Sequence, residues 1–216
     1  MNDFIIKNIN DFWRFAKRPT DVKSNLSDKD IAKNMLVIFG FELLVVLLFI
    51  LIISPFEDQL NLDKNMLEDF LKNSPFLFLV LGTFVSPFVE ELIFRFFITL
   101  RKAFYILWPM YLVGSVFNVK RFTVLKNTVG LWKVIFPFIL YLSSISFGLI
   151  HLANYENYHD IIWLAPLITF PQLFLGVVLG YTRIKYGFKW GFFLHMVHNA
   201  LIIIPTVILQ MLGVGL

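Results

Sequence analysis

"MLVIFGFELLVVLLFILIIS", residues 35 to 54, decides the fold. Its single ionisable side chain is Glu42 and nearly everything else is apolar. A hydrocarbon core about 30 Å thick needs about 20 residues of helix to cross it. Met35 to Ser54 is therefore a predicted membrane span, ended by Pro55 beside Glu57 and Asp58. The rest of the chain agrees, because 58% of its 216 residues are hydrophobic, 18% aromatic and only 16% charged. That apolar share exceeds the one found in soluble domains.

Further apolar runs follow. Residues 57 to 73 read as a polar, acidic loop, and Pro75 opens a second run that passes Glu90 toward Leu100. An aromatic stretch, Phe104 to Phe117, comes next, then a basic connection over 118 to 133. Val134 to Ile150, Ile161 to Tyr181 (with Pro166 and Pro171 as kinks) and Gly191 to Leu212 complete the set. Taking 75 to 117 as one broken crossing gives five crossings, with 104 to 117 a candidate sixth. The expected fold is all-α, a polytopic transmembrane bundle of five to seven helices over residues 35 to 216. No soluble second domain is expected.

Residues 1 to 34 form a separate N-terminal segment without the uninterrupted apolar core of a removable signal peptide. Phe4, Ile5, Ile9, Phe12 and Trp13 recur at helical spacing. This predicts an amphipathic helix, either lying on the membrane surface or docked on the bundle. Lysine and arginine gather in this segment, in 118 to 133 and in 183 to 189, so these parts are expected on the cytoplasmic side, the N-terminus included. The net charge of +4 reflects that orientation, and no nucleic-acid partner follows from it. With no cysteine, thiol chemistry and disulfides are excluded.

An ionisable group at membrane depth costs roughly 2.5 kcal/mol or more, so each one needs a reason. "FVEELIFRFF", residues 88 to 97, puts Glu90, Glu91 and Arg95 inside such a run. Glu91 and Arg95 stand at i, i+4 and can pair, which leaves Glu90 about 100° round the helix and free for other work. His151 closes the span "FGLIH", one turn after Phe147, and His195 and Asn199 stand at i, i+4 in "HMVHN". Taken singly, these groups read as a structural ion pair, an interfacial histidine and an interhelical hydrogen bond. Taken together, a carboxylate, two imidazoles and an amide in an apolar setting suit attack of water on a carbonyl. For the two histidines to meet, the helix after Lys133 must start outside the membrane and run on past His151. Glu42 is expected to pair with another helix or face the interface. His198 and His159 are assigned no chemistry.

These three stretches resemble the EExxxR (Glu90 to Arg95), FxxxH (Phe147 to His151) and HxxxN (His195 to Asn199) motifs of the CPBP family. That family comprises the CAAX proteases and bacteriocin-processing enzymes, also called Abi, and includes the type II CAAX prenyl endopeptidases. The resemblance spans residues 90 to 199 and implies an intramembrane glutamate-dependent endopeptidase. It implies Glu90 as the base activating water, with His151 assisting, and His195 with Asn199 at the oxyanion. Glu91 and Arg95 would support the geometry, and Phe147 would pack beneath His151. Phe96 stands where the family often has Gly.

The implied substrate is a membrane-associated peptide or lipidated protein met within the bilayer. The expected location is a prokaryotic plasma membrane, with the chain as an integral protein. No cofactor is required by this mechanism. The alternative enzyme is a zinc protease, since Glu91, His151 and His195 are metal-ligand types and family members are often labelled metalloproteases, although no HExxH occurs. The alternative from another class is a non-enzymatic immunity or scaffold protein, or a transporter with a buried proton relay.

Overall fold

The computed structural model describes residues 2–56, 65–99, 121–155 and 157–213. Helix α1 spans Asn2–Lys17, α2 Asp28–Ile53, α3 Asn65–Asn73, and α4 Pro75–Arg95. Helix α5 covers Arg121–Ile150 and passes into a 3₁₀ turn at His151–Asn154. After a second 3₁₀ turn at Ile162–Leu164 come α6 (Ala165–Ile168), α7 (Phe170–Tyr186) and α8 (Phe188–Met211). No strand occurs among the described residues. Among the described residues, four helical stretches are long and apolar enough to cross a membrane: Asp28–Phe56, Pro75–Arg95, Val129–Asn154 and Phe188–Met211. A fifth arises if Ile162–Ile168 and Phe170–Tyr186, bent by 54°, act as one broken span. The bend falls at Thr169, between Pro166 and Pro171, as expected where proline removes backbone donors. The chain is an integral membrane protein built as a helical bundle.

Several boundaries differ from the sequence reading. Helix α2 begins at Asp28, two turns before Met35, because Ser27 caps it. The Ser27 hydroxyl accepts from the Asp30 backbone N–H at 3.3 Å and donates to the Asp30 carboxylate at 2.6 Å. Residues 65 to 73, read as loop, are helical. Residues 121 to 133, read as a connection, form the start of α5. Helix α4 stops at Arg95, short of Leu100. The aromatic stretch 104 to 117 lies outside the described residues.

Helix α1 docks on the bundle. Phe12, fully buried, meets the rings of Phe41, Phe174 and Tyr181 at 6.0, 6.0 and 5.5 Å, while Phe4, Ile6 and Trp13 stay exposed. The end of α1 also fixes the level of α5, since the Tyr141 hydroxyl donates to the Ala16 carbonyl. Trp132 Nε1, further back on α5, donates to Asp21 at 2.9 Å. Only about 15 Å of helix then separates the level of α1 from His151. The long α5 therefore starts well before Val134 and carries His151 about three turns beyond the level of Tyr141.

Helices α5 and α7 approach closely because Gly176 faces Ser144. A Cβ at 176 would lie 3.1 Å from the Ser144 backbone, tighter than ordinary contact, so a larger residue would push the two helices apart.

Candidate active site

Helix α4 is not a uniform α-helix. Leu81–Val85 and Glu91–Arg95 are π-helical turns separated by Ser86–Glu90. Pro87 gives the local reason for the first. It has no N–H, and its ring crowds the carbonyl four residues earlier, so the turn before it widens. The Ser86 N–H is directed to Leu81 O. With Pro87 next, neither usual donor reaches the carbonyl of Gly82. Asn199 fills that vacancy, donating from Nδ2 to Gly82 O at 2.9 Å.

About two turns beyond Gly82 on α4, Glu90 and Glu91 flank the His195 ring. Glu90 Oε2 lies 3.4 Å from His195 Nε2, and Glu91 Oε1 lies 3.3 Å from His195 Nδ1. Glu91 and Arg95, predicted to pair at i, i+4, do so at 3.5 Å with both side chains essentially buried. The Arg95 guanidinium lies 3.8 Å from the centroid of the Phe147 ring, a cation–π contact in a dry site. Glu90 differs from its neighbour, since its side chain keeps 20% exposure. The Ser86 hydroxyl, one turn earlier, donates to Glu90 Oε1.

Phe147 links the two histidines, its ring centroid lying 4.9 Å from that of His151 and 5.5 Å from that of His195. His151 Nδ1 sits 2.8 Å from the Phe147 carbonyl. That nitrogen therefore carries hydrogen, and Nε2 of the neutral ring has a free lone pair. Contacts thus join Glu90, Glu91, Arg95, Phe147, His151 and His195 into one cluster from α4, α5 and α8. Asn199 reaches the same helix α4, at Gly82.

Glu91 Oε1 is shared between Arg95 and His195, and among the described residues no group of three or more His, Asp and Glu side chains is disposed to hold a metal ion. His198 and Glu42 stand apart from this cluster, pairing with each other across α8 and α2 at 3.2 Å. His159 stacks near Tyr158 in the connection after α5.

Sequence reasoning missed two contributors. Arg183, near the end of α7 and buried, donates from Nε to Arg95 O at 3.0 Å and from Nη2 to Phe96 O at 3.3 Å. Together with the Ser143 hydroxyl, which donates to Phe94 O, it satisfies carbonyls left open where α4 ends. The signal was an arginine following an apolar run, read only as an orientation charge. The other is Gly191, where a Cβ would come within 3.2 Å of Glu91 Oε2. A side chain there would push on the carboxylate.

Comparison with known proteins agrees with the motifs. Residues 72–201, more than half of the chain, match the family described as type II CAAX prenyl endopeptidase Rce1-like. No curated protein and no solved structure matches the chain. The chain, with its membrane-spanning helices and its Glu–Glu–Arg helix set against two histidines, therefore belongs to the Rce1-like family of type II CAAX prenyl endopeptidases.

Proposed function

We propose that this protein is an intramembrane endopeptidase that hydrolyses a peptide bond of a membrane-associated peptide or lipidated protein with water activated by Glu90. The observation that supports it most is the unequal setting of two adjacent carboxylates on one imidazole. Glu91 is neutralised by Arg95 and fully buried, which suits a fixed anion. Glu90 is partly exposed and, unlike Glu91, is not paired with Arg95; the group beside it is the His195 imidazole, which suits a proton acceptor.

In this reading Glu90 takes a proton from water as the water oxygen bonds to the scissile carbonyl carbon. The carbonyl π electrons move onto oxygen, and the resulting oxyanion is held by His195, with Asn199 able to join it only through the Nδ2 hydrogen that its bond to Gly82 O leaves over. Glu91 favours an N–H at His195 Nδ1 and stabilises the imidazolium, whose Nε2–H then faces the reacting side. When the C–N bond breaks, the leaving nitrogen recovers the proton from Glu90, giving a carboxylic acid and an amine, and proton transfer between these products leaves a carboxylate and an ammonium. His151, whose Nε2 lone pair is free, assists Glu90. Phe147 spaces the two rings.

A metal-free mechanism is supported by the Arg95 guanidinium, since a cation beside Glu91 disfavours a second one there. Comparative peptidomics of membranes carrying the wild-type chain or Glu90→Gln, each with and without a chelator, tests the reading. Fragments should appear only with the wild-type chain and persist under chelation. Identical profiles for the two chains would overturn the hydrolase reading in favour of a scaffold, and chelator loss restored by zinc would overturn the metal-free one.

A further inference from the structure

A cavity of about 590 Å³ lies where α1, the segment after it, the start of α2 and the last turns of α7 meet. Its walls carry three cations, Arg14, Arg18 and Lys185, against one carboxylate, Asp11. Asp11 lies 3.6 Å from Arg14, whose side chain is 80% exposed, so that pair is weak. Among the described residues, no carboxylate lies within ion-pair range of Arg18 or Lys185, and the Lys185 ammonium instead sits 5.9 Å from the centroid of the Phe15 ring. Among the described residues, two positive charges thus face one concavity without a carboxylate paired to either.

The hydrogen-bond donors there are also in excess. Tyr181 and Tyr186, both buried, line the cavity with their hydroxyls 3.5 Å apart. Asn34 Nδ2 donates to the Tyr186 hydroxyl oxygen at 3.3 Å. Whichever phenol donates to the other, one phenolic hydrogen is left without an acceptor in this trio. Beside two unpaired cations, that spare donor calls for an anion with several oxygens.

We infer that this cavity binds a phosphate group. A carboxylate offers two oxygens, whereas a phosphate offers enough for a guanidinium fork, an ammonium and a phenol at once. The cavity lies at the lysine-rich end of the bundle, near Lys17, Lys23 and Lys189, which the charge distribution places on the cytoplasmic side. At that level the phosphate comes from an anionic lipid headgroup or from free phosphate in the cytosol. The site is independent of the hydrolytic reading, since it opens on the α1 side of α7 and shares no residue with the cluster around Glu90.

The test uses the purified full chain in phosphatidylcholine bilayers, followed by thermal unfolding. One arm adds inorganic phosphate, with sulfate-free chloride at equal ionic strength as its reference. The other mixes phosphatidylglycerol into the bilayer. A saturable rise in Tm is expected in at least one arm. The double change Arg18→Gln/Lys185→Gln should weaken the half-saturating concentration at least about tenfold. Lys29→Gln/Lys33→Gln, at two lysines that do not line the cavity, should titrate like the wild-type chain. Saturation by phosphate identifies the free ion, and saturation by phosphatidylglycerol alone identifies the headgroup; both support the site. No saturable rise in either arm, or equal titration of the two double variants, would overturn it. Melting in phosphatidylcholine alone reports whether each variant is folded.

Discussion

The Nε of Arg183 donates to the backbone carbonyl of Arg95 at 3.0 Å, so the end of the motif helix is held by a residue outside every motif. A guanidinium at a helix C-terminus satisfies open carbonyls and complements the helix dipole. Here it also fixes the turn that carries Glu91 and Arg95. Arg183→Gln should lower kcat about tenfold or more, with KM much less affected, because a displacement of the order of 1 Å costs about 100-fold. Arg183→Lys should recover part of the loss by restoring charge without the fork. Steady-state kinetics of the two variants beside the wild-type chain check this. Equal kcat in all three would remove Arg183 from the positioning of the site.

Gly191 makes a smaller, sharper prediction. A methyl group there would stand 3.2 Å from Glu91 Oε2, closer than ordinary contact. Gly191→Ala should reduce kcat several-fold while leaving Tm close to that of the wild-type chain, since Ala gains about 1 kcal/mol over Gly in a helix. Gly40, with nothing within 4 Å of an added Cβ, is the control. Gly40→Ala should raise Tm and leave turnover unchanged.

The Glu91–Arg95 pair should behave as a buried unit. Losing one partner strands the other charge away from water, at a cost of about 3 to 5 kcal/mol. Glu91→Gln and Arg95→Met should each destabilise strongly. The double variant should recover much of the stability and none of the activity. A double-mutant cycle on unfolding free energies measures the coupling, and simple additivity would contradict the pairing.

Glu42 and His198 provide a contrast. They join α2 to α8 at 3.2 Å, inside the bundle but outside the catalytic cluster. His198→Ala leaves the Glu42 carboxylate buried without its partner and should lower Tm. Glu42→Leu/His198→Leu, which removes both polar groups, should be more stable than His198→Ala and should still cleave substrate. Loss of cleavage in that double variant at unchanged Tm would bring the pair into the chemistry.

What the sequence made legible was local. The Glu91–Arg95 pairing follows from i, i+4 spacing on one helix, and the span at residues 35 to 54 follows from its uninterrupted apolar run. The need for the helix carrying His151 to begin earlier than Val134 was also visible, since His151 and His195 could not otherwise share a level, and it begins at Arg121. The rest depends on contacts between distant segments. His195 and Asn199 share a helix face as their spacing requires, yet one meets Glu90 and Glu91 while the other meets Gly82 O. That division follows from the π-helical turns of α4, which change its register without leaving an apolar periodicity to read. Arg183 escaped notice because an arginine at the end of a span serves orientation as readily as it caps a neighbouring helix.

The central claim is that two neighbouring glutamates have been given different work, and the most direct measurement compares them. Glu90→Gln and Glu91→Gln are each purified, melted and assayed against the same membrane-bound peptide. The account predicts that Glu90→Gln melts close to the wild-type chain and has lost cleavage by about 1,000-fold or more, as befits removal of the base, whereas Glu91→Gln loses stability as well as activity. Cleavage by Glu90→Gln at a rate near that of the wild-type chain would contradict it.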